Sequence, residues 1–288
     1  MFGATGAGKT SFLNGITGQN FATNNNVKGC TFKSTFYPPV QFTDGNHYEF
    51  IDTMGLNEGT KGTVEAKDAI KALFNLIFEN SKGFSLLIMV IKADRVDAAI
   101  EKNYRLFVTE LVEGKVPVIL IITKCDLGPS GGVILDLNKW LFLNKKHIDT
   151  YGFRCKAIVS TSWASSDNPK YEEDYRELRE ISKKRVIECI MSNSLNNNIS
   201  FDRKGIATTF RRVWNFIAFI YNLPEWIGKL GEILMSIGFT KTEAAQMESA
   251  INYGEIVQYF KDMFQQKSSS AITDASGAPA PMEKSKLP

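Results

Sequence analysis

Gly3-Ala4-Thr5-Gly6-Ala7-Gly8-Lys9-Thr10 constrains this chain more than any other stretch of it. The octapeptide fits G-x-x-x-x-G-K-[ST] in full. Glycine at Gly3, Gly6 and Gly8 lets the main chain wrap tightly, so that successive N–H groups of Gly3, Ala4, Thr5, Gly6, Ala7 and Gly8 converge on an anion. A helix that starts at this point adds its positive dipole end, with Ser11 in its first turn. Lys9 then supplies a full charge to terminal phosphates, and the Thr10 hydroxyl is a ligand for Mg²⁺. A loop of this kind sits between a strand and a helix, so it predicts an α/β fold.

The rest of the chain follows that pattern as far as residue 192. Phe36 to Phe42 and Tyr48 to Asp52 flank Asp44-Gly45-Asn46 and predict a hairpin. Leu86 to Ile91 and Val116 to Thr123 are continuous apolar runs, expected of strands covered on both faces, and Ala157 to Ser160 is a weaker strand. Helical spacing covers about 64–80, 97–113, 133–146 and 170–192. Alternating strands and helices predict a doubly wound, mostly parallel sheet, with the hairpin adding an antiparallel edge.

Beyond that lies an asparagine-rich stretch, Ser192 to Asn198, read as a linker. Helices are expected at 203–221, 225–237 and 241–264. From Lys267 the composition shifts to Ser, Ala, Gly and Pro, too poor in apolar surface to offset the entropy of ordering. The expected division is therefore a domain over 1–192, a helical extension over 193–266 and a disordered tail over 267–288.

Composition excludes several classes. Net charge is only +3, with no basic run, which argues against a nucleic-acid partner. The four cysteines, Cys30, Cys125, Cys155 and Cys189, lack zinc-site spacing and favour a reduced, cytoplasmic setting. No stretch reaches the ~18 consecutive apolar residues of a membrane span. His47 and His147, near a turn and a helix end, are expected at the surface.

Two more motifs follow strands in the order a nucleotide site requires. Asp52-Thr53-Met54-Gly55 comes directly after Tyr48 to Ile51. A carboxylate at the C-terminal end of a strand sits where open α/β sheets bind ligands. There Asp52 can hold Mg²⁺ through water, and the Gly55 N–H can reach a γ-phosphate. Thr123-Lys124-Cys125-Asp126 follows Val118 to Ile122. The Asp126 carboxylate can accept both the ring N–H and the exocyclic amino group of guanine, a charge-assisted pair that adenine does not offer. The Lys124 stem can lie on the purine face. Thr31 is the candidate γ-phosphate and Mg²⁺ sensor, with Ser34 and Thr35 as rivals. Ser160-Thr161-Ser162 could give backbone N–H groups to the guanine O6, and a plain Ser/Thr turn is the competing account.

The ordered set Gly3–Thr10, Thr31, Asp52–Gly55, Thr123–Asp126 and Ser160–Ser162 resembles the translation-factor-related P-loop GTPases. More narrowly, Asp52-Thr53-Met54-Gly55-Leu56 and Thr-Lys-Cys-Asp resemble the AIG-type, septin-related group that includes the GIMAP proteins. The resemblance covers roughly residues 1–190. It implies a Ras-like fold, Mg²⁺-dependent binding of GTP and GDP, switch loops near 20–35 and 54–63, and a possible homodimer through the nucleotide domain. Met54 stands where the family usually has Pro. Only Met1 and Phe2 precede the glycine motif, where this fold places a central strand, so the sequence is expected to be a fragment or to lack most of that strand. Leu56 stands where Ras-like enzymes carry the glutamine that orients water, which implies slow hydrolysis, with Lys9 and Thr31 as its catalytic residues.

The leading expectation is a GTP-dependent molecular switch. A non-catalytic, GTP-dependent oligomerising scaffold is the first rival, and a P-loop ATPase or small-molecule kinase the second. The basic, aromatic run Phe210 to Tyr221 and the apolar residues after Trp226 could meet a membrane surface; packing within the protein is the preferred account. The downstream partner and any activator are not written in the sequence.

Overall fold

The computed structural model describes residues 1–4, 6–21, 35–53, 80, 82–94, 98–126 and 134–200, the helix 203–221, and isolated positions at 73, 76, 231, 232, 235, 240–242, 244 and 245. Chain contacts divide it into Met1–Tyr221 and Asn222–Pro288.

In the first unit, α1 (Lys9–Thr17) is followed by four short strands. These are β1 (Thr35–Phe36), β2 (Val40–Gln41), β3 (His47–Tyr48) and β4 (Ile51–Asp52). Then come β5 (Leu87–Lys92), α2 (Ala98–Tyr104), a π-helical segment (Arg105–Leu111) and β6 (Val118–Thr123). Last are α3 (Asn138–Thr150), β7 (Ala157–Ser160), α4 (Pro169–Asn193) and α5 (Arg203–Tyr221).

The expected hairpin is present but broken. Gln41 pairs with His47 and Val40 with Tyr48, whereas Phe36 pairs with Ile51, a register one residue different. Pro38 and Pro39 lie between the two ladders. Neither has an N–H to donate, so the extra residue is accommodated as a bulge. Strands β5, β6 and β7 form a parallel sheet in that order.

Met1 and Phe2 join the two sets. The Phe2 N–H donates to Ile88 O at 2.9 Å, and the Val90 N–H donates to Phe2 O at 2.8 Å. On the other side the Thr53 N–H donates to Met1 O at 3.0 Å. The lateral order is therefore β1, β4, Met1-Phe2, β5, β6, β7, which places the glycine loop at the C-terminal ends of the central strands.

Both faces of this sheet are covered, as the unbroken apolar runs require. On one face Phe12, Leu13 and Ile16 of α1 pack with Ile88, Val90, Ile119 and Ile121 of the sheet and with Val186 and Ile190 of α4. Burying each of those three α1 side chains contributes about 1.5–3 kcal/mol. On the other face Phe107 of the π-helical segment stacks on Phe2, ring centroids 4.9 Å apart.

Helix α5 packs against that same segment. Val213, Trp214, Phe216, Ile217 and Ala218 are buried, Arg212 pairs with Glu113 at 2.8 Å, and Arg105 lies over the Phe216 ring. The sequence placed a boundary at 192; the contact boundary falls after Tyr221, with the aromatic run inside the first unit. Helix α3 starts at Asn138 rather than 133, after a turn in which Asp136 Oδ1 accepts the Asn138 N–H at 3.0 Å. The expected helices at 64–80, 225–237 and 241–264 lie almost entirely outside the described residues, as does the tail.

Candidate nucleotide site

The glycine loop is held by its backbone. A Cβ on Gly3 would lie 2.1 Å from Val90 O, so only glycine allows the chain to pass this close to β5. Gly6 and Gly8 have φ of 77° and 88°, in the left-handed region. Gly8 is also the N-cap of α1 and has no side chain with which to cap it. In α4, by contrast, Asn168 Oδ1 accepts the Lys170 N–H, and Pro169 follows it. The Ala7 N–H is donated to Ala4 O at 3.1 Å, and a helix start whose N-cap offers no side chain suits a phosphate acceptor. Lys9 Nζ donates to Gly3 O at 2.9 Å and to Ala4 O at 3.3 Å, bringing its ammonium back over the loop. Thr10 is half-buried and Ser11 exposed on the first turn.

Asp52 ends β4 beside this loop. Its Oδ1 is buried with no hydrogen-bond partner. Burial pushes its carboxyl above the ordinary carboxylate range, with the Lys9 charge opposing that shift. A buried acceptor without a donor is costly, and a hydrated cation beside it would supply the missing partners. The residues present fit Mg²⁺, which Asp52 and Thr10 would hold.

The candidate base-recognition corner lies at the end of β6. Thr123 Oγ1 donates to Ala7 O at 2.7 Å, with Ile91 O at 3.2 Å. This hydroxyl ties the glycine loop to the strand that carries Asp126. Lys124 has φ of 58°, a left-handed conformation that costs a non-glycine residue on the order of 1 kcal/mol. It turns the chain so that exposed Lys124 is followed by fully buried Cys125 and Asp126. Asp126 is 1% exposed, and its Oδ1 has no hydrogen-bond partner. Its main-chain O accepts the Ile134 N–H at 2.8 Å.

The turn after β7 differs from its expected role. The Thr161 N–H is donated to Ile122 O at 2.7 Å and the Ser162 N–H to Ser182 Oγ at 2.9 Å. Those two N–H groups are engaged inside the fold and are not left for a base. What remains is Ser160 Oγ, buried and without a partner. Thr161 O accepts the Cys125 N–H at 3.1 Å, which locks this turn onto the Asp126 turn.

Three aromatic neighbours were not singled out from the sequence. Trp163 stands edge-on to Phe12, with centroids 6.0 Å apart, and lies so close to α1 that a Cβ on Gly15 would fall 2.0 Å from its ring. Its Nε1 is buried without a partner. A glycine inside a helical pattern was the available signal. Tyr37 and Tyr175 have hydroxyl pKa values raised first by burial and then by the carboxylates of Asp52 and Asp126 respectively, which places each near one end of the site. Thr35, the rival switch residue, is exposed and pairs with Asp52. Thr5, Thr31, Ser34, Gly55 and Leu56 lie outside the described residues.

A cavity of about 630 Å³ opens elsewhere, lined by Met1, Phe50, Leu87, Asn80 and Asn196 among others. It opens beside the N-terminal end of β5 and is lined by none of the candidate nucleotide-site residues.

Comparison with known proteins adds a family match over the first part of the chain. Residues 1–124 match the family model described as 50S ribosome-binding GTPase. This stretch carries the P-loop GTPase pattern, and it stops two residues before Asp126. A segment of 130 residues is 31% identical to GTPase Der of Maridesulfovibrio salexigens, covering 44% of this chain and 26% of that protein. The chain thus spans about a quarter of the length of the curated relative it matches. Among solved structures, a mutation variant of SsGBP aligns with 18% identity and a TM-score of 0.39, over 66% of this chain and 54% of that one.

Proposed function

We propose that this chain binds GTP and GDP with Mg²⁺ and hydrolyses GTP slowly, acting as a molecular switch. The observation that carries the reading is Asp126: a fully buried carboxylate with an unpartnered oxygen, beside a strand end that Thr123 ties to the glycine loop. Guanine offers that oxygen the donor it lacks, and adenine leaves it unpaired. At the other end of the site Lys9 and the loop N–H groups hold the phosphates, and Thr10 and Asp52 hold the metal. Magnesium supplies charge neutralisation between the phosphates. Slow turnover is proposed because Leu56, which cannot orient water, follows Gly55. The AIG-type subgroup remains a proposal carried by Asp52-Thr53-Met54-Gly55-Leu56 and Thr-Lys-Cys-Asp.

Competition against a labelled guanine nucleotide in the presence of magnesium tests this reading. GTP and GDP should displace the label, and ATP should do so at least about 100-fold less well. Lys9→Ala should remove turnover. Equal displacement by ATP, or a preparation that retains no guanine nucleotide, would end the proposal.

A further inference from the structure

Helix α3 turns an unusual face outward. Ile148 on its inner side is buried, as is Leu137 just before it, whereas Phe142 is 83% exposed and Leu143 is 70% exposed. Leu135, in the turn that enters the helix, is 59% exposed. Lys139, Phe142, Leu143 and Lys146 stand at i, i+3, i+4 and i+7, so they form one stripe along the helix. Side chains as large as Phe142 and Leu143 lose favourable burial by pointing into water. The stripe holds no acidic residue. The nearest acids are engaged locally: Asp149 pairs with Lys145 at 3.2 Å, and Asp136 Oδ1 accepts the Asn138 N–H.

We propose that this face of α3 docks on an anionic phospholipid surface, with Phe142 and Leu143 entering the headgroup boundary and Lys139 and Lys146 meeting lipid phosphates. Charge selects the occupant. Two lysines bracketing two apolar side chains match an interface that is negative outside and apolar beneath. A second copy meeting this face about a two-fold axis would set lysines against lysines. Phe142 and Leu143 also protrude from a convex helix, which suits a deformable lipid interface better than a protein hollow. Among the described residues no helix is long and apolar enough to cross a membrane.

Flotation of the full chain with phosphatidylcholine vesicles, with and without phosphatidylserine, tests the proposal. Binding should need phosphatidylserine and weaken as salt rises. Lys139→Glu with Lys146→Glu should lower it by about 30-fold or more, and Phe142→Ser with Leu143→Ser by at least about tenfold. All four positions are on the surface and outside the nucleotide site, so far-UV circular dichroism and guanine-nucleotide retention should not change. Binding to neither vesicle, equal binding to both, or variants that float like the parent would each overturn the proposal. So would light scattering that shows a dimer abolished by the same substitutions, or binding to polyglutamate with none to vesicles.

Discussion

The two ends of the candidate site are built from different materials. The phosphate end is main chain: glycines with left-handed φ, an uncapped helix start and a lysine ammonium returned onto carbonyl oxygens. The base end is side chain: one buried carboxylate and one buried hydroxyl, each with an unpartnered oxygen. A backbone cradle recognises only the shape and charge of phosphate, which all nucleotides share. A single oriented carboxylate separates one purine from another. Substitutions at the two ends should therefore fail in different ways: loss of fold and of all nucleotide binding at one, and loss of selectivity at the other.

Gly3→Ala should have the largest effect. The added methyl would meet Val90 O, a backbone atom in the middle of β5 that cannot step aside. Overpacking combined with backbone strain should cost roughly 2–5 kcal/mol. Denaturant unfolding would measure it, and any surviving folded protein should bind GTP and ATP more weakly by a similar factor, with its preference for GTP kept. A variant with normal stability and normal GTP affinity would show that the loop does not depend on this close approach.

Asp126→Asn is the complementary case. Guanine affinity should fall roughly 10²- to 10⁴-fold, because two charge-assisted hydrogen bonds are replaced by one amide that presents a donor to a donor. Folded stability should stay within about 1 kcal/mol, since the affected oxygen has no internal partner to lose. Titration calorimetry with GDP, alongside thermal unfolding, separates the two quantities. A stability loss as large as that of Gly3→Ala would mean that Asp126 is structural and that the two ends are not distinct after all.

The sequence spoke more plainly at some places than at others, for physical reasons. Strands β5 and β6 are unbroken runs of β-branched and aliphatic residues, and their bounds were found to within two residues. Asp52 and Thr123 end their strands, and Asp126 follows three residues after Thr123, as the motif spacing predicts. The helix at 97–113 was legible as helix, but its change to π-helical winding at Arg105 was not, because that winding accompanies packing by α5 from a distant part of the chain. The same limit applies to α5 itself, whose aromatic face reads equally well as packed or as surface until Arg105, Glu113 and the π-helical segment are seen beside it. The turn Ser160–Ser162 was over-read: which N–H groups remain free depends on Ile122 and Ser182, partners that local spacing cannot reveal.

The smallest expected effect concerns the join between phosphate and metal, and it appears as a pH slope. Burial raises the Asp52 pKa above its ordinary 3.8, and the Lys9 charge only partly offsets this. A carboxyl with a raised folded pKa favours the folded state most when protonated. Its contribution is therefore fully present below about 3.8 and is lost as pH rises through the folded value. Asp44 and Glu172 slope the other way, because the Tyr48 hydroxyl and the Arg179 guanidinium respectively hold their carboxyls low. The total stability curve cannot show Asp52 alone; the difference between the parent protein and Asp52→Asn can. In the nucleotide-free protein that difference should move in favour of Asp52→Asn as pH rises above 3.8. With GDP and magnesium the charged carboxylate gains a cation, and the difference should flatten or reverse. A slope that is the same with and without magnesium would detach Asp52 from the metal and leave the phosphate end to its main chain and Lys9.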